Sequence, residues 1–270
     1  PRAPPGRGAP WVDRVGGEEG GTVRLIPPER VRPVDLVDIV GATARPEPEG
    51  RPWIFLAMIQ SADGAAVLDG RAGGLGNDAD RRLFLGLRGI ADVVLAGAET
   101  VRVEGYGPVR LSDDVRAARR RRGQSEFPRL AVVSRSLHLA WQSPLFVGSA
   151  EKPIVITAED ADREALERAR RRADVIAIGH GGADLVAALR QLRRRGANVV
   201  DCEGGPALNG QLLAAGMVDE LVLTVAPVLV GGGATRIIRG PAQHAPRQMR
   251  LTHAAEEDGF LFLRYVRRGV

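Results

Sequence analysis

The stretch Val199-Val200-Asp201-Cys202-Glu203-Gly204-Gly205-Pro206 indicates the fold most directly. Its apolar start predicts a buried strand over Ala197–Asp201. The two glycines allow the backbone to approach a ligand closely, and Pro206 is suited to the first turn of a helix. Free N–H groups at such a helix start attract anions, so a diphosphate is a natural occupant. The alternative is a tight turn that needs glycine for its backbone angles alone.

Strand and helix patterns alternate on both sides of this stretch. Strands are predicted over Trp53–Gln60, Ala91–Ala96, Leu130–Val133, Ile154–Thr157, Val175–Ile178, Glu220–Val230 and Phe260–Val266, and helices over Asn77–Arg88, Glu159–Arg172, Asp184–Arg195 and Pro206–Ala215. Repeated strand–helix units predict an α/β fold with a mostly parallel central sheet and helices on both faces. The last two strands have no helix between them, which predicts an antiparallel edge.

Size and composition limit the class of protein. The 270 residues are 44% hydrophobic and 26% charged, which is typical of a globular protein, and no apolar run is long enough to span a membrane. The single cysteine, Cys202, excludes an internal disulfide and a multi-cysteine zinc site, and it fits a reducing, cytoplasmic compartment. Residues 1–50 are rich in Pro, Gly and Arg, which predicts an arm with one short helix around Val34–Val40. One domain is predicted over residues 51–270.

The charge is strongly biased towards arginine. The formal net charge is +5, and Lys152 is the one lysine among 38 basic residues. The densest run, Arg116–Arg122, predicts a mobile, hydrated loop or helix end. The alternative, a nucleic-acid patch, lacks the interleaved aromatic residues that stack on bases. A basic balance also suits small phosphorylated ligands.

Several catalytic motifs are absent from the sequence. It contains no G-x-G-x-x-G, P-loop, G-x-S-x-G or H-E-x-x-H pattern, which disfavours a Rossmann dinucleotide fold and the kinase, hydrolase and metalloenzyme classes. The four histidines have no ligand spacing and are predicted to be surface or loop residues (His138, His180, His244 and His253). Cys202 is predicted to be a small buried side chain at a strand end.

Other strand ends carry polar or glycine-rich segments. In Gly97–Val101, Thr100 is placed to bind a phosphate or amide, or to cap a helix. Ser61 and Asp63 follow the first strand, at the crevice where open α/β sheets bind ligands. There Asp63 is a candidate to orient a substrate amine or to transfer a proton, and the alternative is a plain turn at Asp63-Gly64. The run Gly231-Gly232-Gly233 predicts a flexible turn or loop.

Two arginines stand beside these segments. Arg88 ends the helix after the first strand, and Arg110 follows Tyr106-Gly107-Pro108. An arginine fork suits a phosphate dianion, although surface solvation is the alternative in a chain with this much arginine.

The order of these motifs resembles the pyrimidine reductase family. The matching elements are Ser-x-Asp-Gly at 61–64, Leu-Arg at 87–88, Gly-x-x-Thr-Val at 97–101, Val-Val-Ser-Arg-Ser at 132–136 and Glu-Gly-Gly-Pro-x-Leu at 203–208. This family is the reductase domain of the bifunctional riboflavin-biosynthesis deaminase–reductase. The resemblance extends from Trp53 to Val266. No zinc-binding deaminase signature is present, which predicts a stand-alone reductase, and the stretches Ala91–Tyr106 and Asp219–Arg236 resemble actinobacterial stand-alone members. It implies a dihydrofolate-reductase-like fold, NADPH as cofactor and a homodimer.

The resemblance also implies roles for individual residues. Substrate-binding residues would be Ser61, Arg88, Arg110 and Glu203, with Asp63 as the candidate catalytic residue. Cofactor-binding residues would be Ala57 at the nicotinamide end, Thr100 and Glu104 in the NADPH site, Ser134 and Arg135 at the 2′-phosphate, and Gly204, Gly205, Pro206, Ala207, Leu208, Asn209, Gly210 and Gln211 around the diphosphate. The assignment of Arg135 to the 2′-phosphate also has a physical reason of its own, because a guanidinium group can pair with a phosphomonoester through two hydrogen bonds.

The implied reaction reduces a C=N bond. Hydride would reach C1′ of the ring-opened sugar of 5-amino-6-(5-phosphoribosylamino)uracil and give its ribitylamino form. One alternative is reduction of dihydrofolate or another pterin, since an arginine pairs equally with a glutamate carboxylate. The alternative of another class is a catalytically idle protein that binds NADPH or nucleic acid.

Overall fold

The computed structural model describes residues 37, 41, 43, 45–241 and 245–269. The strands are β1 (Trp53–Ser61), β2 (Val93–Gly97), β3 (Arg129–Val133), β4 (Ile154–Thr157), β5 (Asp174–Ala177), β6 (Val199–Cys202), β7 (Glu220–Ala226), β8 (Met249–Glu257) and β9 (Phe260–Arg267). The helices are α1 (Asp78–Ile90), α2 (Ala98–Val103), α3 (Asp113–Arg121), α4 (Pro144–Val147), α5 (Arg163–Arg172), α6 (Leu185–Arg194) and α7 (Pro206–Ala214), with a 3-10 turn over Gly73–Leu75. Of the predicted arm, residues 1–50, the structure describes residues 37, 41, 43 and 45–50, and the predicted helix around Val34–Val40 lies outside the described residues except for residue 37.

The nine strands of the described residues form one sheet in the order β5-β4-β3-β2-β6-β1-β7-β9-β8. The strands from β5 to β7 are parallel, and β9 pairs antiparallel with β7 and β8. The predicted fold class, a mostly parallel sheet with an antiparallel edge, is confirmed. The membership of that edge was predicted wrongly, because β7 belongs to the parallel part and β8 was not predicted at all.

The two faces of the sheet are covered by different helices. Neighbouring residues of a strand point to opposite faces, so Ile54 packs with α6 and α7 while Phe55 packs with α1. Further along the sheet, Val94 packs on the second face with residues of α5. Each fully buried apolar side chain of this size contributes about 1.5–3 kcal/mol, so both helical layers are fixed to the sheet.

Side-chain caps set the helix starts. The predicted cap at Asn77 is confirmed, since its Oδ1 accepts from Asp80 N at 2.9 Å. The prediction that a helix begins at Glu159 is wrong, because Asp162 caps α5 and accepts from Ala165 N at 2.8 Å. Residues before this cap form a turn at the end of β4.

The arginine run Arg116–Arg122 lies at a helix end, which is one of its two predicted settings, and Arg120, Arg121 and Arg122 are exposed, but the run is not hydrated throughout. It lies in and after α3, and Arg119 is fully buried. Its guanidinium donates to the carbonyl oxygens of Gly89 and Ala91 at 3.1 and 2.5 Å, and Arg122 donates to Gly89 at 2.8 Å. These carbonyls belong to the end of α1, where cations stabilise the helix dipole. The run therefore anchors one helix end on another.

The amino edge of β1 and β7 carries a buried group of ion pairs. Glu220 is fully buried and accepts from Arg45 at 3.0 and 3.1 Å and from Arg264 at 2.7 Å. Trp53 donates its indole N–H to the same carboxylate at 3.0 Å. These hydrogen bonds join β1, β7 and β9, and the one carboxylate of Glu220 serves as counter-charge to both buried guanidinium groups.

Within the described part of the chain, no helix is both long enough and apolar enough to cross a membrane.

Candidate functional site

The predicted site residues follow strands that are neighbours at the carboxyl edge of the sheet. The order β3-β2-β6-β1-β7 places the segments after these five strands along one edge. Because parallel strands end at the same edge, residues distant in sequence meet there, as in other open α/β sheets. The site therefore spans the segments that begin at Ser134, Gly97, Glu203, Ser61 and Pro227.

The junction between β6 and α7 lies near the middle of this edge. Gly204 has a φ of +91°, the Gly204–Gly205 peptide is cis, and Gly97 donates its N–H to Gly204 O at 2.7 Å. A Cβ on Gly205 would lie 2.7 Å from Thr100 Oγ1, so residue 205 has no room for a side chain. Pro206 starts α7, and no side chain caps this helix. The first-turn N–H groups of α7 are therefore available to an anion.

The side chains along α7 divide between interior and solvent. Asn209 is fully buried and donates to Ile237 O at 2.8 Å, while Leu208 is buried in the core. A Cβ on Gly210 would lie 2.1 Å from Arg239 O, so α7 packs directly on the backbone of the loop after β7. Among the predicted cofactor residues of this helix, Ala207 and Gln211 are exposed. The predicted diphosphate contacts there thus rest on backbone groups.

The start of α2 borders the same junction. Thr100 is half-buried beside Gly205, and Glu104 ends α2, where its Oε1 accepts from Ala72 N at 2.9 Å. Glu104 therefore holds the 3-10 turn against α2. Ala57 is buried within β1 and packs with the α1 side of the core.

The segment after β3 carries one exposed guanidinium group, that of Arg135. Ser134 is buried and its hydroxyl accepts from Leu137 N at 3.1 Å, so it shapes the turn. Arg135 is exposed, as is Arg110 after α2, and within the described residues neither forms an ion pair. Each of these two guanidinium groups is available to a phosphate.

Arg88 is placed differently from the other predicted phosphate ligands. Its Nε and Nη2 donate to the two oxygens of Glu203 at 2.6 and 2.8 Å, and Tyr106 donates its hydroxyl to the same carboxylate. The guanidinium lies 4.4 Å from the ring centroid of Phe84 and 5.3 Å from that of Tyr106. Burial raises the pKa of Tyr106 well above its usual value, so the phenol stays a donor. Arg88 and Glu203, predicted as separate substrate ligands, form one buried unit.

Asp201 lies beneath this unit and was not predicted as a site residue. It is fully buried in the middle of β6, and neither carboxylate oxygen has a hydrogen-bond partner among the described residues. Burial, and then the nearby charge of Glu203, raise the pKa of Asp201 well above its ordinary value. Nothing in the sequence distinguished it from a strand residue, because its neighbours Arg88 and Glu203 are brought there by the fold.

Cys202 confirms its prediction as a small buried side chain at a strand end. Burial raises the pKa of its thiol to about 12, so it stays protonated.

Asp63 holds the loop after β7. Its carboxylate accepts from Ser61 Oγ at 2.5 Å and from Gly231 N at 2.7 Å, with longer bonds from Val230 N. The Ser61 hydroxyl and these N–H groups lower the pKa of Asp63 to about 2. At neutral pH the side chain is therefore a carboxylate that has no proton to give, which favours its orienting role.

A cavity of about 380 Å³ opens beside Asp63, between the loops after β1 and β7. Its walls are Gln60, Asp63, Gly64, Ala65, Gly231, Gly232, Ala234 and Arg236. Arg236 was not predicted as a site residue, since the glycine run before it predicted only a flexible turn or loop. The signal that could have found it is a cation three residues after the triple glycine.

Comparisons with known proteins agree on one family. Residues 52–259 match the family model described as the RibD C-terminal domain. The chain is 30% identical over 192 residues to a 2,5-diamino-6-ribosylamino-4(3H)-pyrimidinone 5′-phosphate reductase of Methanothermobacter thermautotrophicus, covering 70% of this chain and 83% of that one. It is also 30% identical over 194 residues to the riboflavin biosynthesis protein RibD of Escherichia coli, covering 68% of this chain and 51% of that one.

A solved structure shows the same architecture. A pyrimidine reductase-like protein of Corynebacterium diphtheriae superposes with a TM-score of 0.77 at 29% identity, covering 87% of this chain and 99% of that one. The family resemblance found in the sequence is confirmed.

Proposed function

The chain belongs to the RibD C-terminal domain family, and from this we propose that it is an NADPH-dependent reductase of riboflavin biosynthesis. Its substrate would be a 6-ribosylaminopyrimidine 5′-phosphate, either the 2,5-diamino-4(3H)-pyrimidinone named for its relatives or the 5-aminouracil form. The product would carry a ribitylamino group. The observation that carries the proposal is the uncapped start of α7 behind Gly204 and Gly205, at the edge where the family's motifs meet.

The residues present fit a nicotinamide dinucleotide. The start of α7 offers free N–H groups to a diphosphate, because no side chain caps this helix. Gly205, the residue before the helix, carries no Cβ, and Thr100 leaves no room for one. Arg135, exposed after β3, is the fork for a 2′-phosphate, and this residue is the reason to choose NADPH over NADH. The adenosine end would then lie at β3 and the nicotinamide end at β1, near Ala57.

The cofactor supplies the hydride, and the protein supplies position and charge. Thr100 and Glu104 fix the wall of the cofactor groove through α2 and the 3-10 turn. Holding the reacting carbons at near-attack distance is worth up to about 7–11 kcal/mol in the best intramolecular models. Asp63 orients the loop beside the reacting end. We assign the proton for the substrate nitrogen to water, since Asp63 is ionised.

Substrate recognition would use the Arg88–Glu203–Tyr106 unit and Arg110. The unit holds Glu203 as an acceptor, and an acceptor suits the amino groups of a pyrimidine. Ser61 is buried and links Asp63 to Ala65 N, so its contribution to the substrate site is through loop shape. We further propose a cytoplasmic homodimer, with β8 as the exposed edge strand available for pairing.

Consumption of NADPH, followed at 340 nm, tests the proposal. The purified protein is incubated with both ribosylaminopyrimidine phosphates, and with dihydrofolate as the competing substrate. We expect one NADPH oxidised per pyrimidine reduced, and a ribitylamino product by mass spectrometry. Turnover of dihydrofolate with no turnover of either pyrimidine would make the pterin alternative correct.

A further inference from the structure

Asp201 is a fully buried carboxyl group that lacks a hydrogen-bond donor. It lies within β6, and in the described part of the chain neither of its oxygens has a hydrogen-bond partner. Asp219, which is also fully buried, accepts from Arg51 at 2.6 and 2.7 Å and from Ile54 N at 2.9 Å. An interior carboxylate needs donors of this kind, because the water that it loses must be replaced. The surroundings of Asp201 therefore favour the uncharged acid over the anion.

The neighbours of Asp201 across the sheet are apolar. Its register partners are Phe55 in β1 and Val94 in β2, and both are fully buried. Register partners on neighbouring strands point to the same face, so Asp201 lies on the face that α1 covers. Glu203 donates its N–H to Leu95 O at 2.9 Å and so continues the pairing of β6 with β2. It comes two residues after Asp201 and points to the same face, roughly 7 Å further along the strand. Asp201 thus lies directly beneath the Glu203 carboxylate.

Charged groups approach Asp201 from both ends of its strand. Those that act on it electrostatically are Glu203 on β6 itself, Arg88 from α1, Tyr106 after α2, Arg45 before β1 and Glu220 from β7. The two guanidinium groups favour the anion and the two carboxylates oppose it, so burial remains the largest cause of the raised pKa of Asp201. The protonated acid is thus the form that the fold stabilises.

A charged Asp201 would compete with Glu203 for its partner. Arg88 donates from Nε and Nη2 to the two oxygens of Glu203 at 2.6 and 2.8 Å, and no other carboxylate among the described residues forms an ion pair with it. Arg45, the other guanidinium group near Asp201, is already bound to both oxygens of Glu220. A buried anion without donors is strongly destabilised, so ionised Asp201 would draw Arg88 away from Glu203. The uncharged acid leaves the pair intact.

We propose that Asp201 is a positioning residue of the active site: as an uncharged acid it leaves Arg88 to Glu203 alone, and loss of its proton to solvent base at high pH releases Glu203 from its position. The inference rests on the proposed function for the role of Glu203, which is to accept hydrogen bonds from the amino groups of the pyrimidine. The location of the proton on Asp201, and its effect on the Arg88–Glu203 pair, do not depend on that function.

The pH dependence of kcat/KM for the pyrimidine, measured between pH 7 and pH 10, tests the proposal. Asparagine is an uncharged analogue of the protonated acid, so kcat/KM of Asp201→Asn at pH 7 should stay within about threefold of wild type. Wild type should lose activity at the alkaline end, by about tenfold per pH unit beyond the pKa of Asp201, whereas Asp201→Asn should keep its activity there. The Kd for NADPH should show no such decline in either protein, because the Arg88–Glu203 pair is assigned to the substrate.

Asp92→Asn is the matched control. Asp92 is a half-buried aspartate just before β2, and its carboxylate accepts from the backbone N–H groups of Asn198 and Val199 at 2.7 and 2.9 Å, as an amide oxygen also can. This variant should keep the alkaline decline of wild type.

Asp201→Leu is the second variant, which guards against misfolding around a buried amide, and it should lack the decline as Asp201→Asn does. A wild type without the decline, or the same decline in both Asp201 variants, would overturn the proposal. A loss of tenfold or more at pH 7 in both variants would show that the charge of Asp201 is required, and would also overturn it.

Infrared difference spectroscopy locates the proton independently of turnover. Raising the pH from 7 to 10 should remove the carbonyl band of a protonated carboxylic acid from wild type and from Asp92→Asn, and should remove no such band from Asp201→Asn. A carboxylate at position 201 already at pH 7 would refute the proposal.

Nuclear magnetic resonance reports on the pair itself. The signal of the Arg88 Nε–H, which bonds to Glu203 and is assigned by its loss in Arg88→Lys, should shift with the same midpoint as the infrared band. A signal that stays constant while the band disappears would refute the link between Asp201 and Glu203. If wild type reduces neither pyrimidine, the proposed function fails, and these two spectra still decide whether Asp201 controls the pair.

Discussion

Arginines at the two edges of the sheet differ in their partners. At the amino edge, Arg45 and Arg264 are buried and pair with Glu220. At the carboxyl edge, Arg135 and Arg236 are exposed, and within the described residues neither pairs with a carboxylate. Arginine thus serves both as a buried ion-pair partner and as an exposed cation. Because nearly every cation of this chain is an arginine, composition alone does not show which arginine has which role.

The difference follows from desolvation. A buried arginine is stable when a carboxylate and further hydrogen bonds replace the water that it loses, as Glu220 and the Thr252 hydroxyl do for Arg264 at the amino edge. An exposed arginine keeps its water and contributes little to folding. We therefore expect substitutions at the amino edge to change stability and those at the carboxyl edge to change ligand binding.

The largest expected effect is on stability, in Glu220→Gln. Loss of the carboxylate leaves Arg45 and Arg264 buried without a counter-charge, which should lower the free energy of unfolding by about 3–5 kcal/mol. Urea denaturation followed by circular dichroism measures this change. Glu99→Gln is the control, because the exposed pair of Glu99 with Arg102 should contribute less than about 1 kcal/mol. Similar losses in both variants would contradict the distinction between buried and exposed pairs.

The second effect is on cofactor binding, in Gly205→Ala. The new Cβ would lie 2.7 Å from Thr100 Oγ1, so either the Thr100 side chain or the start of α7 must shift from its present position. Since binding depends on aligned N–H groups, we expect the Kd for NADPH to rise at least about tenfold. Fluorescence titration measures the Kd. Gly107→Ala, where nothing lies within 4 Å, should bind as wild type does, and tight binding by Gly205→Ala would remove this junction from the cofactor site.

The third effect is on cofactor choice, in Arg135→Gln. Loss of the exposed Arg135 guanidinium after β3 should lower kcat/KM with NADPH about tenfold and leave kcat/KM with NADH unchanged. The free energy of unfolding should stay within about 0.5 kcal/mol of wild type. An unchanged ratio of the two coenzymes would exclude Arg135 from the 2′-phosphate site.

The last expected effect depends on pH and lies between the two edges, at Asp201. Its pKa is higher in the folded protein than in the unfolded chain, so the neutral acid is favoured by folding. Its contribution to stability is complete below the ordinary Asp pKa and is lost as pH rises through the raised one, by up to about 1.4 kcal/mol per pH unit. Asp201→Asn removes this titration, so its stability relative to wild type should increase between pH 4 and pH 8. Parallel stability profiles of the two proteins in urea would show that Asp201 is ionised in the folded state.

Local patterns predicted the elements whose signals are local. Three predicted features depend on neighbouring residues only, and the structure has all three: the cap at Asn77, the buried strand β1 and the Gly-Gly-Pro junction. The strand β8 was missed because an edge strand is largely exposed and its charged residues, such as Arg250 and Glu256, hide the apolar alternation.

Partners that are distant in sequence could not be predicted. Arg119 lies in a run of like charge that is typical of a solvated helix, and its burial depends on the end of α1, about thirty residues earlier. Likewise, Arg88 has the same local pattern as a free phosphate ligand, but its guanidinium is paired with Glu203, which lies 115 residues away at the end of β6. The candidate site was therefore located by its strand ends, whereas which of its arginines are free was decided by packing.

A crystal structure of the ternary complex with NADP⁺ and the ribitylamino product tests the central claim most directly. We predict the diphosphate at the N–H groups behind Gly205, the 2′-phosphate at Arg135 and the product phosphate at Arg110, with the Glu220 cluster unchanged. Density for either ligand away from the carboxyl edge, or phosphates that bypass both free arginines, would contradict the account.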